Sequence, residues 1–130
     1  MEENRRQLNR SDIAVLLSGR EKYRLKNIQE DIKSGKFKQV YLLYGEEAYL
    51  KQQYKQNLVK ALNPDGDTMN FNHYEGKGID VKQLIDLCET MPFFAERRVI
   101  LLEDTGFFKN KCEELADYMK ELPDYLYLIF

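Results

Sequence analysis

The sequence is poor in the residues that build metal centres, disulfide frameworks and phosphate loops. It has two cysteines, Cys88 and Cys112, without CxxC spacing, and one histidine, His73. A zinc site or a disulfide framework needs more ligands than these three side chains supply. Both thiols are therefore expected to act as small apolar residues in a reducing cytoplasm. An excess of one charge is lacking as well. The formal net charge is -2 and the isoelectric point is near 5.5, so nothing global attracts nucleic acid or an anionic membrane. No apolar run approaches the ~20 residues of a membrane span. The opening MEENRRQLNR has no apolar centre and does not read as a secretory signal.

What is present is enough for one compact domain. The 130 residues are 43% hydrophobic and 12% aromatic, so a core can form. Residues 1–24 read as a charged extension with one short apolar run, Ile13-Ala14-Val15-Leu16-Leu17, packed as a short helix or loosely attached. Leu25, Ile28 and Ile32 form a helical stripe that stops at Ser34-Gly35. Three continuous apolar runs follow at intervals: Val40-Tyr41-Leu42-Leu43-Tyr44, Arg98-Val99-Ile100-Leu101-Leu102 and Tyr125-Leu126-Tyr127-Leu128-Ile129-Phe130. Such runs suit strands buried on both faces. Residues 69–74 alternate as a further strand. Between the strands lie helical patterns: Leu50, Tyr54, Leu58 and Leu62; then Val81, Leu84, Ile85 and Cys88 behind the capping pair Asp80 and Gln83; then Phe108, Cys112, Leu115, Met119 and Leu122, stopped by Pro123. The order is helix, strand–helix three times, then a strand. It predicts an α/β fold with a mostly parallel sheet and helices on both faces.

In such a sheet chemistry usually sits at the carboxyl edge of the strands. The first turn there is Tyr44-Gly45-Glu46-Glu47-Ala48-Tyr49. A phosphate loop needs several glycines, a lysine and a Ser/Thr. This turn has only Gly45, and Glu46 and Glu47 stand where a phosphate would sit on the helix dipole. The position is that of a P-loop and the residues are wrong for one, so no nucleotide is expected to bind. Glu103-Asp104 resembles the acidic pair that holds magnesium in nucleotide hydrolases. Without a phosphate cradle it reads as a solvated strand end. His73 has no carboxylate or nucleophile near it in sequence and reads as structural. No serine-hydrolase elbow, zinc-protease motif or dinucleotide fingerprint occurs. No catalytic residue, metal or cofactor is predicted.

The remaining feature is Thr90-Met91-Pro92-Phe93-Phe94-Ala95-Glu96-Arg97. Pro92 blocks continuation of the preceding helix, which sets Met91, Phe93 and Phe94 on a stiffened corner. Two adjacent aromatics rarely enter one core from a tight connection. The alternatives are a seal between helix and sheet, or a partly exposed wedge that marks a partner site. Phe94 at least is expected to point outward.

Two stretches carry a family resemblance: Tyr41-Leu42-Leu43-Tyr44-Gly45-Glu46-Glu47-Ala48-Tyr49-Leu50, and Met91-Pro92-Phe93-Phe94-Ala95-Glu96-Arg97-Arg98-Val99. The chain resembles the delta subunit of the bacterial DNA polymerase III clamp loader over residues 25–130. The resemblance implies an AAA+-type, P-loop-NTPase-like topology without a working P-loop, in the amino-terminal domain of a longer protein. It implies that the corner, with Met91, Pro92, Phe93 and Phe94, binds the beta sliding clamp in DNA replication and helps open that ring. The implied further partners are the loader subunits tau/gamma and delta-prime, reached mainly through other domains, with DNA met only indirectly and no membrane. The subunit would be non-catalytic and cytoplasmic. Residues 1–24 lie outside the resemblance. An unconventional nucleotide hydrolase and a general protein-interaction scaffold are the competing readings.

Overall fold

The computed structural model describes residues 5–7, 13–17, 29–44, 48–66, 68–105 and 113–130. Its strands are β1 (Arg5–Gln7), β2 (Ile13–Leu17), β3 (Val40–Tyr44), β4 (Phe71–Glu75), β5 (Arg98–Glu103), β6 (Glu121–Pro123) and β7 (Leu126–Ile129). The helices joining them are α1 (Ala48–Leu62), α2 (Val81–Cys88) and α3 (Glu113–Tyr118). A five-stranded sheet has the order β2-β3-β7-β5-β4, and every pairing in it is parallel. β1 and β6 form a separate antiparallel pair.

The continuous apolar runs become strands because both faces of the sheet are covered. Along β5 the side chains alternate between two cores. Ile100 and Leu102 join Val40, Leu126 and Leu128 beneath Leu84 and Cys88 of α2 and Leu115 of α3. Val99 and Leu101 join Tyr41 and Ile129 beneath Tyr54, Leu58 and Leu62 of α1. Burial pushes the Cys88 thiol up to about 12, so it behaves as an apolar residue. Cys112 lies outside the described residues.

Local signals end the elements as the sequence predicts. Residues 29–34 are helical, and Gly35, at φ +73°, donates its N–H to the Asp31 carbonyl at 2.9 Å. Ile32 packs on the α1 side of the sheet, while Leu25 and Ile28 lie outside the described residues. Asp80 caps α2 by accepting from the backbone N–H groups of Lys82 and Gln83. Gly76 and Gly78, at φ +91° and +94°, turn the chain between β4 and α2.

Two expectations fail. The run Ile13–Leu17 is a strand, not a short helix or a loose segment: it pairs in parallel with β3 from Ile13↔Val40 to Leu17↔Tyr44. An apolar run of five residues fits either period, and the unpaired edge of β3 decides for the strand. Leu122 does not continue the third helix. That helix ends at Tyr118, and Leu122 enters β6 opposite Arg6, with its side chain fully buried. Phe108 lies outside the described residues.

Candidate functional site

The corner between α2 and β5 lies at the amino edge of the parallel strands, beside the starts of β4 and β5. The α2 helix ends at Cys88, and the chain then runs through Thr90, Met91 and Pro92 into the two phenylalanines. Phe94 is 94% exposed and Phe93 53% exposed. Their rings meet edge to face with centroids 4.4 Å apart, so they form one apolar unit outside the body of the domain. Met91 is exposed beside them and Pro92 is half-buried. The large apolar side chains that are exposed among the described residues are these three and Met69. Met69 precedes the residue that holds the corner in place.

That residue is Asn70, whose buried side chain makes a reciprocal pair of bonds to the Phe93 backbone. Its Nδ2 donates to the Phe93 carbonyl at 2.8 Å, and its Oδ1 accepts from the Phe93 N–H at 2.6 Å. Arg98, 4% exposed, holds the other end. Its Nε donates to the Thr90 carbonyl at 2.7 Å, Nη2 to the Met91 carbonyl and Nη1 to Asn72 Oδ1, both at 3.3 Å. The neighbouring Arg97 guanidinium lies over the rings of Phe37 and Tyr127, 5.0 and 5.7 Å from their centroids. The segment is thus tied down on both sides of the exposed pair.

Phe94 itself sits at φ +53°, in the left-handed region that a β-carbon disfavours by roughly 1–2 kcal/mol. Such strain persists only where the surroundings over-determine it, and it collects at functional sites. Glycine at this position removes the strain but loosens the unfolded chain, an opposing effect of roughly 0.5–1 kcal/mol. Phe94→Gly is therefore expected to leave the urea midpoint unchanged or slightly raised. A marked fall in that midpoint would mean that the ring stabilises the fold and is no free wedge.

At the opposite, carboxyl edge, Gly45, Glu46 and Glu47 follow β3 and lie outside the described residues. Glu103 is not the solvated strand end that the sequence suggests. The β4–β5 register sets Glu75 opposite Glu103 and His73 opposite Leu101, which puts His73 on the α1 side of the sheet. There Glu103 Oε1 meets His73 Nε2 at 2.6 Å, and Oε2 accepts from Lys55 Nζ on α1. Asp104, at φ +53°, is exposed. Among the described residues no group of three or more His, Cys, Asp or Glu gathers as a metal site.

Burial pushes the Glu103 carboxyl up, but the bonds and charges of Lys55 and His73 outweigh it and hold the group below its usual range. A carboxyl with a lowered folded-state value stabilises the fold above its unfolded value of roughly 4.3 and loses that contribution as pH falls through the folded value. Glu103→Gln is expected to cost about 1 kcal/mol at neutral pH. The gap between the two proteins should close in urea titrations carried to progressively more acid pH. A gap that persists in acid would mean that the loss is one of packing.

Sequence reasoning found the phenylalanine pair but missed Asn70, Met69 and the supporting role of Arg98. A usable signal for Arg98 was an arginine heading a fully apolar strand, because a buried guanidinium must find acceptors.

The comparisons with known proteins converge on one family. The family model described as DNA polymerase III, delta subunit, matches residues 41–130, well over half of the chain. The DNA polymerase III subunit delta of Bacillus subtilis (strain 168) is 28% identical over 104 residues, covering 77% of this chain and 30% of that protein. The solved structure of the Bacillus subtilis DNA clamp loader delta protein superposes with a TM-score of 0.70 at 22% identity, over 81% of this chain and 34% of that one. The α/β fold with its parallel sheet between helices is thus shared with that structure. The chain spans about a third of the length of these relatives. On the family match, the chain belongs to the DNA polymerase III delta-subunit family.

Proposed function

We propose that this chain carries the sliding-clamp-binding face of a bacterial clamp-loader delta subunit. Phe93 and Phe94 form the insert, Met91 is a neighbouring contact, and Pro92 stiffens the approach. The observation that carries the reading is the projecting ring pair, with Phe94 94% exposed on a backbone tied down at Thr90 and at Phe93. An aromatic pair of this kind has apolar surface to bury and little conformational freedom to lose, which favours a preformed pocket on a partner. A wedge opens a closed ring only if it binds the strained, open form better than the closed one. The rigid sheet behind the corner supplies the lever.

On this reading the subunit is non-catalytic and binds no ATP of its own. Two points support that part. In the sequence, Glu46 and Glu47 stand in the turn after the first long apolar run, where a phosphate loop would need glycines and a lysine. Both carboxylate oxygens of Glu103 are engaged by Lys55 and His73. The loader subunits tau/gamma and delta-prime are met mainly through the rest of the protein, DNA is met indirectly, and the setting is the bacterial cytoplasm. The deciding experiment is calorimetric titration of a purified bacterial sliding clamp with the protein and with its Phe93→Ala/Phe94→Ala variant. Equal affinity in a folded variant would sink the proposal.

A further inference from the structure

We propose that Asn70 is a positioning residue for clamp binding: it sets how the Phe93–Phe94 unit projects without itself touching the partner. The inference rests on the clamp-binding reading and adds the device that keeps the wedge ready. Asn70 stands immediately before β4, and its backbone carbonyl already accepts from Val99 N–H at 2.9 Å, which ties it to the start of β5. It is 4% exposed, so its side chain is fixed within the body of the domain. From that base the carboxamide reaches the Phe93 peptide with a donor and an acceptor together. The two bonds also fix the orientation of the amide, since exchanging its O and N would set like against like.

The side-chain choice follows from the chemistry. A planar carboxamide mimics the edge of a strand, donating and accepting side by side. A carboxylate keeps only the acceptor and faces the Phe93 carbonyl with negative charge. A hydroxyl has the wrong reach, and an alkyl group offers neither function. Phe93 is held through its backbone, which leaves its ring to pack edge to face on that of Phe94, the next residue, at φ +53°. Without this clasp the corner samples other conformations, and the apparent affinity falls by the fraction of molecules still competent to bind.

The test compares wild type, Asn70→Ala, Asn70→Asp and Phe93→Ala/Phe94→Ala in three measurements: thermal melting, hydrogen exchange of the Phe93 amide by NMR, and affinity for a purified sliding clamp well below every melting point. The expected result is a roughly tenfold loss of clamp affinity in folded Asn70→Ala, with faster exchange at Phe93. Asn70→Asp should keep the Phe93 amide protected yet bind weakly. A merely structural role predicts lower melting points with wild-type affinity in the folded protein, and that outcome overturns the inference. If instead the double phenylalanine variant binds like wild type, the clamp-binding reading has failed and the inference falls with it. Loss in that variant with wild-type affinity in both Asn70 variants overturns the inference alone.

Discussion

Phe93→Ala/Phe94→Ala is expected to weaken clamp binding by roughly 10²–10⁴-fold while leaving the fold intact. The magnitude follows from area. Burying one phenylalanine side chain is worth ~1.5–3 kcal/mol, so two contribute about 3–6 kcal/mol, and each 1.4 kcal/mol is a factor of ten. The rings already touch each other in the free protein, which removes some apolar surface from water before any partner arrives. The lower half of that range is therefore the better expectation. Stability should hardly change, because neither ring belongs to the two buried cores. A melting curve matching wild type, together with a large affinity loss in titration, is the expected pair of results. A lower melting point with preserved binding would assign the phenylalanines to the fold and leave the interaction face elsewhere.

The location of the pair strengthens this expectation. In parallel α/β sheets the carboxyl edge gathers helix amino ends and their dipoles, which suit charged ligands and chemistry. The corner lies on the amino edge. What the backbone offers there is a rigid rim, and what the side chains offer is apolar area. That combination serves contact with another macromolecule better than it serves a reaction.

Much of this was legible in the sequence for identifiable reasons. The three apolar runs that became β3, β5 and β7 could hardly be anything but doubly covered strands, and Gly35, Asp80 and Pro92 mark ends through local sterics and hydrogen bonding. Two adjacent aromatics after a proline pointed to at least one ring facing outward, but how the rings divide, with Phe94 94% and Phe93 53% exposed, was not legible. What was not legible depends on pairing over distance. Asn70 and Phe93 are 23 residues apart, and His73 and Glu103 are 30 apart; only the parallel register of β4 and β5 brings either pair together. The edge strand β2 was missed because Ile13–Leu17 carries no period of its own, and its state is decided by the neighbour it finds. Leu122 deceived for the opposite reason. Its spacing from Leu115 and Met119 continues a helical stripe, but the chain has already left the helix through the turn at Met119 and Lys120.

Arg98→Met is expected to damage the fold, lowering unfolding free energy by roughly 1–3 kcal/mol out of a total of roughly 5–15 kcal/mol for a domain of this kind. The methionine replaces the aliphatic stem but none of the donors. It would leave the Thr90 and Met91 carbonyls and Asn72 Oδ1, all in a part-buried setting, without the hydrogen bonds they now accept from the guanidinium. The guanidinium is tolerated there because it sits just past the carboxyl end of α2, where carbonyls point outward and the helix dipole favours a cation. Arg98→Lys separates the two contributions. It keeps the charge at the helix end, but a single ammonium cannot reach three acceptors spread around a planar fork. Its loss should therefore be clearly smaller than that of the methionine variant but not zero. Urea titrations of the three proteins test the order wild type, lysine, methionine. Equal stability of wild type and Arg98→Met would mean that the buried ion gains nothing over apolar packing. The corner would then be held by contacts such as the Asn70 bonds and the Arg97 stacking on Phe37 and Tyr127.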